Sequence, residues 1–193
     1  MKYIIFLMLL LAVMAQPSLS LTPEETLSIV ETYSDASEED ELLWRQYVAG
    51  HRFGVEQISD MIRDAAQEFS VPVSLLEAVA YVESNFTQIG PSIDRGWGVM
   101  HLVDNDYCST LIDAARLIGL DPQQLKDDPR ANIRGAAALL SCSANNSGVS
   151  GDNLEDWIGP LKALTGLAGD ELQELQVHTY MKALADGISE YNL

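Results

Sequence analysis

The segment SLLEAVAYVESNF, Ser74 to Phe86, constrains the fold more than any other part of this chain. Its apolar residues run round a helix rather than along one stripe. A helix without a wide polar face has to be buried in a core. The flanking sequence supplies further helices to cover it. Val55, Ile58, Ile62, Ala65 or Ala66, and Phe69 recur at helical spacing before it, and Val71-Pro72 separates the two, with Pro72 suited to a first helical turn.

Downstream, Cys108, Leu111, Ile112, Ala115 and Ile118 fit another helix. Ile133, Ala136 or Ala137, and Leu140 fit one begun by Asp128-Pro129. Residues 145–148, NNSG, read as a loop with the SGDN that follows. The end of the chain offers helices over Leu154–Thr165 and Glu171–Ile188, the last with the stripe Val177, Met181, Leu184 and Ile188. No segment alternates with the period of a strand, and no internal repeat is visible. The expectation is an all-α domain over 55–190, with one short irregular or hairpin segment near residues 88–104, where SIDRGWGVMHL carries two glycines.

The start of the chain reads differently. Lys2 precedes an apolar run in MKYIIFLMLLLAVMA, and Val13 and Ala15 are small enough for a cut after Ala15. This is the pattern of a secretory signal peptide over 1–15, shorter than the ~20 apolar residues that span a bilayer. The expected location is therefore secreted or periplasmic, with no membrane association after cleavage. Residues 16–54 form an acidic lead-in, with two short amphipathic pieces around Thr26–Tyr33 and Glu41–Val48. Export would take Cys108 and Cys142 into an oxidising compartment, where one disulfide would contribute about 3–4 kcal/mol in the chain-entropy model. The alternative is two buried thiols acting as small apolar residues.

Charge excludes whole classes of partner. With 29 acidic residues against 11 basic ones the formal charge is −18, a poor match to nucleic acid or to an anionic membrane surface. Two Cys and three His in unrelated positions argue against a metal site, and no cofactor motif is present.

Among the acids, Glu83 stands apart. It lies at i+4 from Val79 and i+7 from Leu76, on the apolar side of the central helix, whereas Glu77 is rotated toward solvent. Desolvation disfavours a charged carboxylate, and this is how an acid is kept ready to donate a proton near neutral pH. A Glu at a helix end, hydrogen-bonded to loop amides, is the competing reading.

Three blocks decide between them. VPVSLLEAVAYVES resembles the "G-V-P … L-L-A-V … E-S" block of bacterial lytic transglycosylases of the soluble type, which are related to goose-type lysozymes. Ser92 followed by Gly98-Val99-Met100-His101-Leu102 is similar to that family's "S … G-L-M-Q-L". Asp128-Pro129, Asn132-Ile133 and Gly135 are similar to its "D-P … N-I … G-A". The Met-His-Leu form most resembles a subgroup in which the domain precedes a zinc amidase, so a separate amidase is a candidate partner.

The resemblance implies a lysozyme-like fold and a peptidoglycan-cleaving enzyme. Glu83 would be catalytic, protonating the glycosidic oxygen between N-acetylmuramic acid and N-acetylglucosamine. It would then take the C6 hydroxyl proton to leave an anhydro product. Ser84, Met100 and His101 match positions that line the sugar cleft. A lysozyme-type hydrolase would need a second acid, for which Asp94, Asp104 and Asp106 lie in the right segment. A non-catalytic glycan-binding module is the third reading.

Two departures bear on activity. The family's Ala-Tyr-Asn motif, whose Tyr hydrogen-bonds the catalytic region, is replaced by Lys162-Ala163-Leu164-Thr165-Gly166, leaving Tyr180 as a substitute. Arg95 stands where the family has a small residue, and a guanidinium against Glu83 would favour the ionised carboxylate and remove the acid role. The sequons at Asn85 and Asn145 would be glycosylation sites in a eukaryotic secretory pathway, whereas the bacterial origin that the resemblance implies would make them chance matches.

Overall fold

A computed structural model describes residues 53–187, which lie within one compact unit. The expected signal peptide, its cut site and the acidic lead-in as far as residue 52 lie outside the described residues. The fold is all-α. Among the described residues the order is α1 (Val55–Phe69), α2 (Val73–Ser84), a hairpin of β1 (Gly96–Trp97) and β2 (Leu102–Val103), α3 (Thr110–Ile118), α4 (Pro122–Asp127), α5 (Pro129–Ser147), a 3₁₀ turn (Leu154–Trp157), α6 (Ile158–Leu164) and α7 (Asp170–Ala185).

Helix α1 follows its apolar stripe: Ile58, Met61, Ile62, Ala65 and Ala66 are buried. It ends where Ser70 turns left-handed and Val71 N bonds back to Ala66 O at 3.0 Å. Pro72 is the N-cap of α2 rather than a residue of its first turn, since its ψ of 127° is extended. Within α2, Leu75, Leu76, Ala78, Val79 and Ala80 are all buried, so the helix does occupy the core. Glu77 keeps part of its surface in solvent but is half-buried, because α1 also packs along α2.

Helix α5 is the hub, touching α1, α3, α4 and α6. Its small residues explain this. Ala131, Gly135, Ala136, Ala137 and Ala138 let neighbouring helices approach closely, and a Cβ on Gly135 would stand 2.9 Å from Leu125 and 3.0 Å from Ala114. Arg134 on α5 also makes a two-pronged bond to Glu68 on α1, at 2.7 and 2.6 Å, which holds the Glu68 carboxyl below its ordinary range.

The structure extends some expectations and alters others. The loop expected at 145–148 is helical through Ser147, with left-handed Gly148 ending α5. Helix α4 was not evident from apolar spacing. Asp121 starts it, accepting from Gln123 N at 2.8 Å, while Gln124 Oε1 accepts from Asp121 N at 3.1 Å. On α7 the fully buried residues are Val177 and Tyr180, while Met181 and Leu184 are only half-buried. No helix among the described residues is long and apolar enough to cross a membrane.

Candidate active site

The hairpin segment is fixed to the core by two buried amides. Asn132 on α5 is fully buried: its Oδ1 accepts from Met100 N at 2.8 Å, and its Nδ2 donates to Trp97 O at 2.9 Å and Leu125 O at 3.1 Å. Gln88 Oε1 accepts from Val99 N at 3.1 Å while Nε2 donates to Lys126 O at 2.8 Å. The turn between β1 and β2 must lie flat on this support, and Gly98 shows why. Its φ is +78°, and a Cβ there would stand 2.2 Å from Asn132 Nδ2. Register follows, with Gly96 opposite Val103 and Trp97 opposite Leu102.

Glu83, one residue before the end of α2, lies under this turn with 13% of its side chain exposed. Helix α7 packs against α2 and brings two donors to one carboxylate oxygen. Gln176 Nε2 donates to Oε1 at 2.6 Å, and the Tyr180 hydroxyl donates a short hydrogen bond to the same atom. Tyr180 is 1% exposed, and burial, reinforced by the neighbouring Glu83 carboxylate, pushes its phenol well above the ordinary tyrosine value. It therefore stays a donor into the alkaline range.

The second oxygen, Oε2, faces His101 Nδ1 at 3.4 Å. His101 sits at the end of the turn with φ +49°, a left-handed conformation unusual for a residue with a side chain. Its ring occupies the space over Gly96, where a Cβ would stand 2.1 Å from Nε2. Beyond the ring, Nε2 lies 2.9 Å from Ser92 Oγ and 3.2 Å from Asp94 Oδ1.

The remaining expected site residues fall into different roles. Ser84 Oγ donates toward Val99 O at 2.7 Å and Ala80 O at 3.0 Å and accepts from Thr87 N at 3.2 Å, so its hydroxyl ties α2 to the turn. Met100 is 1% exposed and presents no side-chain surface to a ligand in this structure. Arg95 is exposed and makes no ion pair with Glu83. Asp104 lies 3.8 Å from Lys126 Nζ, and Asp106 is exposed. Neither meets Glu83. Lys126 also lies 4.6 Å from the centroid of half-buried Trp97.

The Cys108–Cys142 disulfide is not formed. Both are free, half-buried thiols: Cys108 is held in a turn by Asn105, and Cys142 lies within α5, 3.8 Å from Asn146 Nδ2. Among the described residues, no group of three or more His, Cys, Asp or Glu is arranged to hold a metal ion.

Sequence reasoning brought Glu83 and His101 forward and named Tyr180 as a substitute donor; the structure joins all three. It missed Gln176, and it brought forward Ser92 only as a motif residue and Asp94 only as a candidate second acid, not as the partners of His101. Gln176 and Tyr180 share a face of α7 at i and i+4, a spacing readable in the sequence but common to any helix. No protein-family model matches the chain, and no curated protein matches it.

Proposed function

We propose that this chain is a peptidoglycan lytic transglycosylase, with Glu83 as the acid and then the base. The observation that carries this reading is the setting of Glu83: a largely buried carboxyl at the end of a core helix, one oxygen held by Tyr180 and Gln176 and the other directed toward the hairpin turn. A general acid needs a fixed orientation and an environment shielded from water. The three sequence blocks that resemble this family meet around that carboxyl, through Ser84, the Gly98–Leu102 turn and Asn132. The departure at Ala-Tyr-Asn loses its force, because Tyr180 supplies a phenolic donor from a different helix. The departure at Arg95 does too, because the guanidinium does not reach Glu83.

In this mechanism Glu83 protonates the glycosidic oxygen between N-acetylmuramic acid and N-acetylglucosamine. The carboxylate left behind takes the proton of the C6 hydroxyl, which closes on C1 to give the anhydro sugar. The cycle returns the proton to Glu83 and consumes no water, so no second carboxylate is needed across the bond. Asp94, the only one of the three candidate acids near the site, is turned to His101 and Ser92.

The test is digestion of purified sacculi followed by mass spectrometry of the soluble fragments. Anhydro-ended muropeptides are expected, with release reduced at least ~100-fold in Glu83→Gln. Reducing-end products would instead assign a lysozyme-type hydrolase. Binding to sacculi without soluble product would assign a glycan-binding module.

A further inference from the structure

The hydrogen-bond partners of Glu83 and His101 define a specific proton arrangement. The Ser92 hydroxyl has one proton and two lone pairs. It accepts from Gly96 N at 2.7 Å and donates to Asp94 Oδ1 at 2.5 Å, which leaves one lone pair for His101 Nε2 at 2.9 Å. Asp94 Oδ1 is a second acceptor 3.2 Å from the same nitrogen. Nε2 therefore carries a proton, and in the neutral ring Nδ1 is a bare lone pair facing Glu83 Oε2. On the other side, Glu83 Oε1 already accepts from Tyr180 and Gln176, so the proton of the carboxylic acid belongs on Oε2.

We propose that one proton is shared between Glu83 Oε2 and His101 Nδ1, with Ser92 and Asp94 locking the His101 tautomer, so that His101 is a positioning residue for the proton Glu83 delivers. When the proton lies on Oε2, His101 is neutral. When it moves to Nδ1, the O–H bond breaks, the N–H bond forms, and the imidazolium faces the Glu83 carboxylate on one side and the Asp94 carboxylate on the other. The charged and titratable groups meeting the ring are Glu83 from α2 and Asp94 from the turn that precedes β1, with Tyr180 of α7 acting through Glu83. The 3.4 Å separation is long for a hydrogen bond, as acid–base pairs commonly are before substrate is bound. The site is built to hold this ring: Gly96 leaves the space for it, and His101 accepts a left-handed backbone to enter that space. The inference deepens the proposed acid–base role of Glu83 and rests on it for its consequence in turnover.

Two measurements test it, one without any substrate. In the full chain labelled with ¹⁵N-histidine, long-range proton–nitrogen spectra read the neutral tautomer, and His101→Gln assigns the signal among three histidines. The expected result is a neutral ring protonated at Nε2, becoming a mixture of tautomers in the Ser92→Ala, Asp94→Ala double variant. Protonation at Nδ1 in the parent protein, or an unchanged tautomer in the double variant, would overturn the proposal. The second measurement is turnover on sacculi. His101→Gln, which keeps hydrogen-bonding groups but cannot take up the proton, is expected to lower kcat about tenfold and to leave KM within about twofold. A raised KM at unchanged kcat would make His101 a substrate contact and overturn the positioning role. Should the parent cleave no sacculi, the catalytic reading of Glu83 fails by itself, and the tautomer still decides the proton arrangement.

Discussion

Replacing Tyr180 by Phe removes a single oxygen from the interior and leaves the ring that packs against the core. The magnitude follows from the partner that oxygen loses. A hydrogen bond to an ionised group contributes about 1.5–3 kcal/mol and one to a neutral group about 0.5–1.5 kcal/mol. Glu83 is neutral before it gives up its proton and anionic after, so the Tyr180 bond strengthens as the proton leaves by about 1–1.5 kcal/mol. Lost from the transition state, that difference corresponds to roughly a tenfold fall in kcat. Gln176 remains on Oε1 at 2.6 Å, so the carboxyl keeps one anchor and the loss should not approach that of Glu83→Gln. The assay is the initial rate of muropeptide release from sacculi, with a urea titration of both proteins alongside.

The same substitution has a signature in alkaline stability. Tyr180 has its phenol raised in the folded protein by burial and by Glu83. Its contribution is fully present below the unfolded value near pH 10 and is lost as the pH climbs toward the higher folded value. Tyr180→Phe should therefore flatten the fall in stability above about pH 10 relative to the parent. Unchanged kcat together with an unchanged alkaline slope would refute the reasoning, since it would mean that the hydroxyl neither meets Glu83 nor lies in the interior.

Two further outcomes are expected. Asn132→Ala strips partners from a buried amide, the buried Leu125 carbonyl and the part-buried Trp97 carbonyl and should cost about 3–5 kcal/mol in urea unfolding; a loss under about 1 kcal/mol would show that the turn does not depend on it. Glu77→Gln should stabilise the protein at neutral pH, because burial raises the Glu77 carboxyl against the weaker opposing pull of Arg63. The sign is that of a raised group: the stability is present below the unfolded value near pH 4.3 and lost as pH rises through the folded one. The parent and the variant should therefore have the same urea midpoint at about pH 3.5 and diverge at pH 7, and a lower midpoint for the variant at pH 7 would contradict this.

The amino-acid order alone carried the all-α architecture, because helical periodicity and an all-round apolar helix are properties of neighbours in sequence. Val55–Phe69 and Val73–Ser84 were both legible in this way, as was the Gly-bearing turn that became the hairpin. The apolar face that carries Glu83 was legible in the same way, from its offsets to Leu76 and Val79, but its candidacy as an acid rested on the three motif blocks around it. Helix α4 escaped, since six residues are too few to establish a period and its capping pair lies outside the apolar pattern.

The company that Glu83 keeps was a different matter. Gln176 and Tyr180 lie more than 90 residues away, and their approach depends on how α7 packs on α2. Apolar spacing on α7 pointed to Val177, Met181 and Leu184, but packing buries Tyr180 because its hydroxyl finds an acceptor there. The burial of Met100 and the halfway position of Glu77 likewise depend on which neighbour covers them. Periodicity is local and can be read along the chain. The partners of a buried carboxyl are set by the meeting of helix faces, and only the folded chain contains that information.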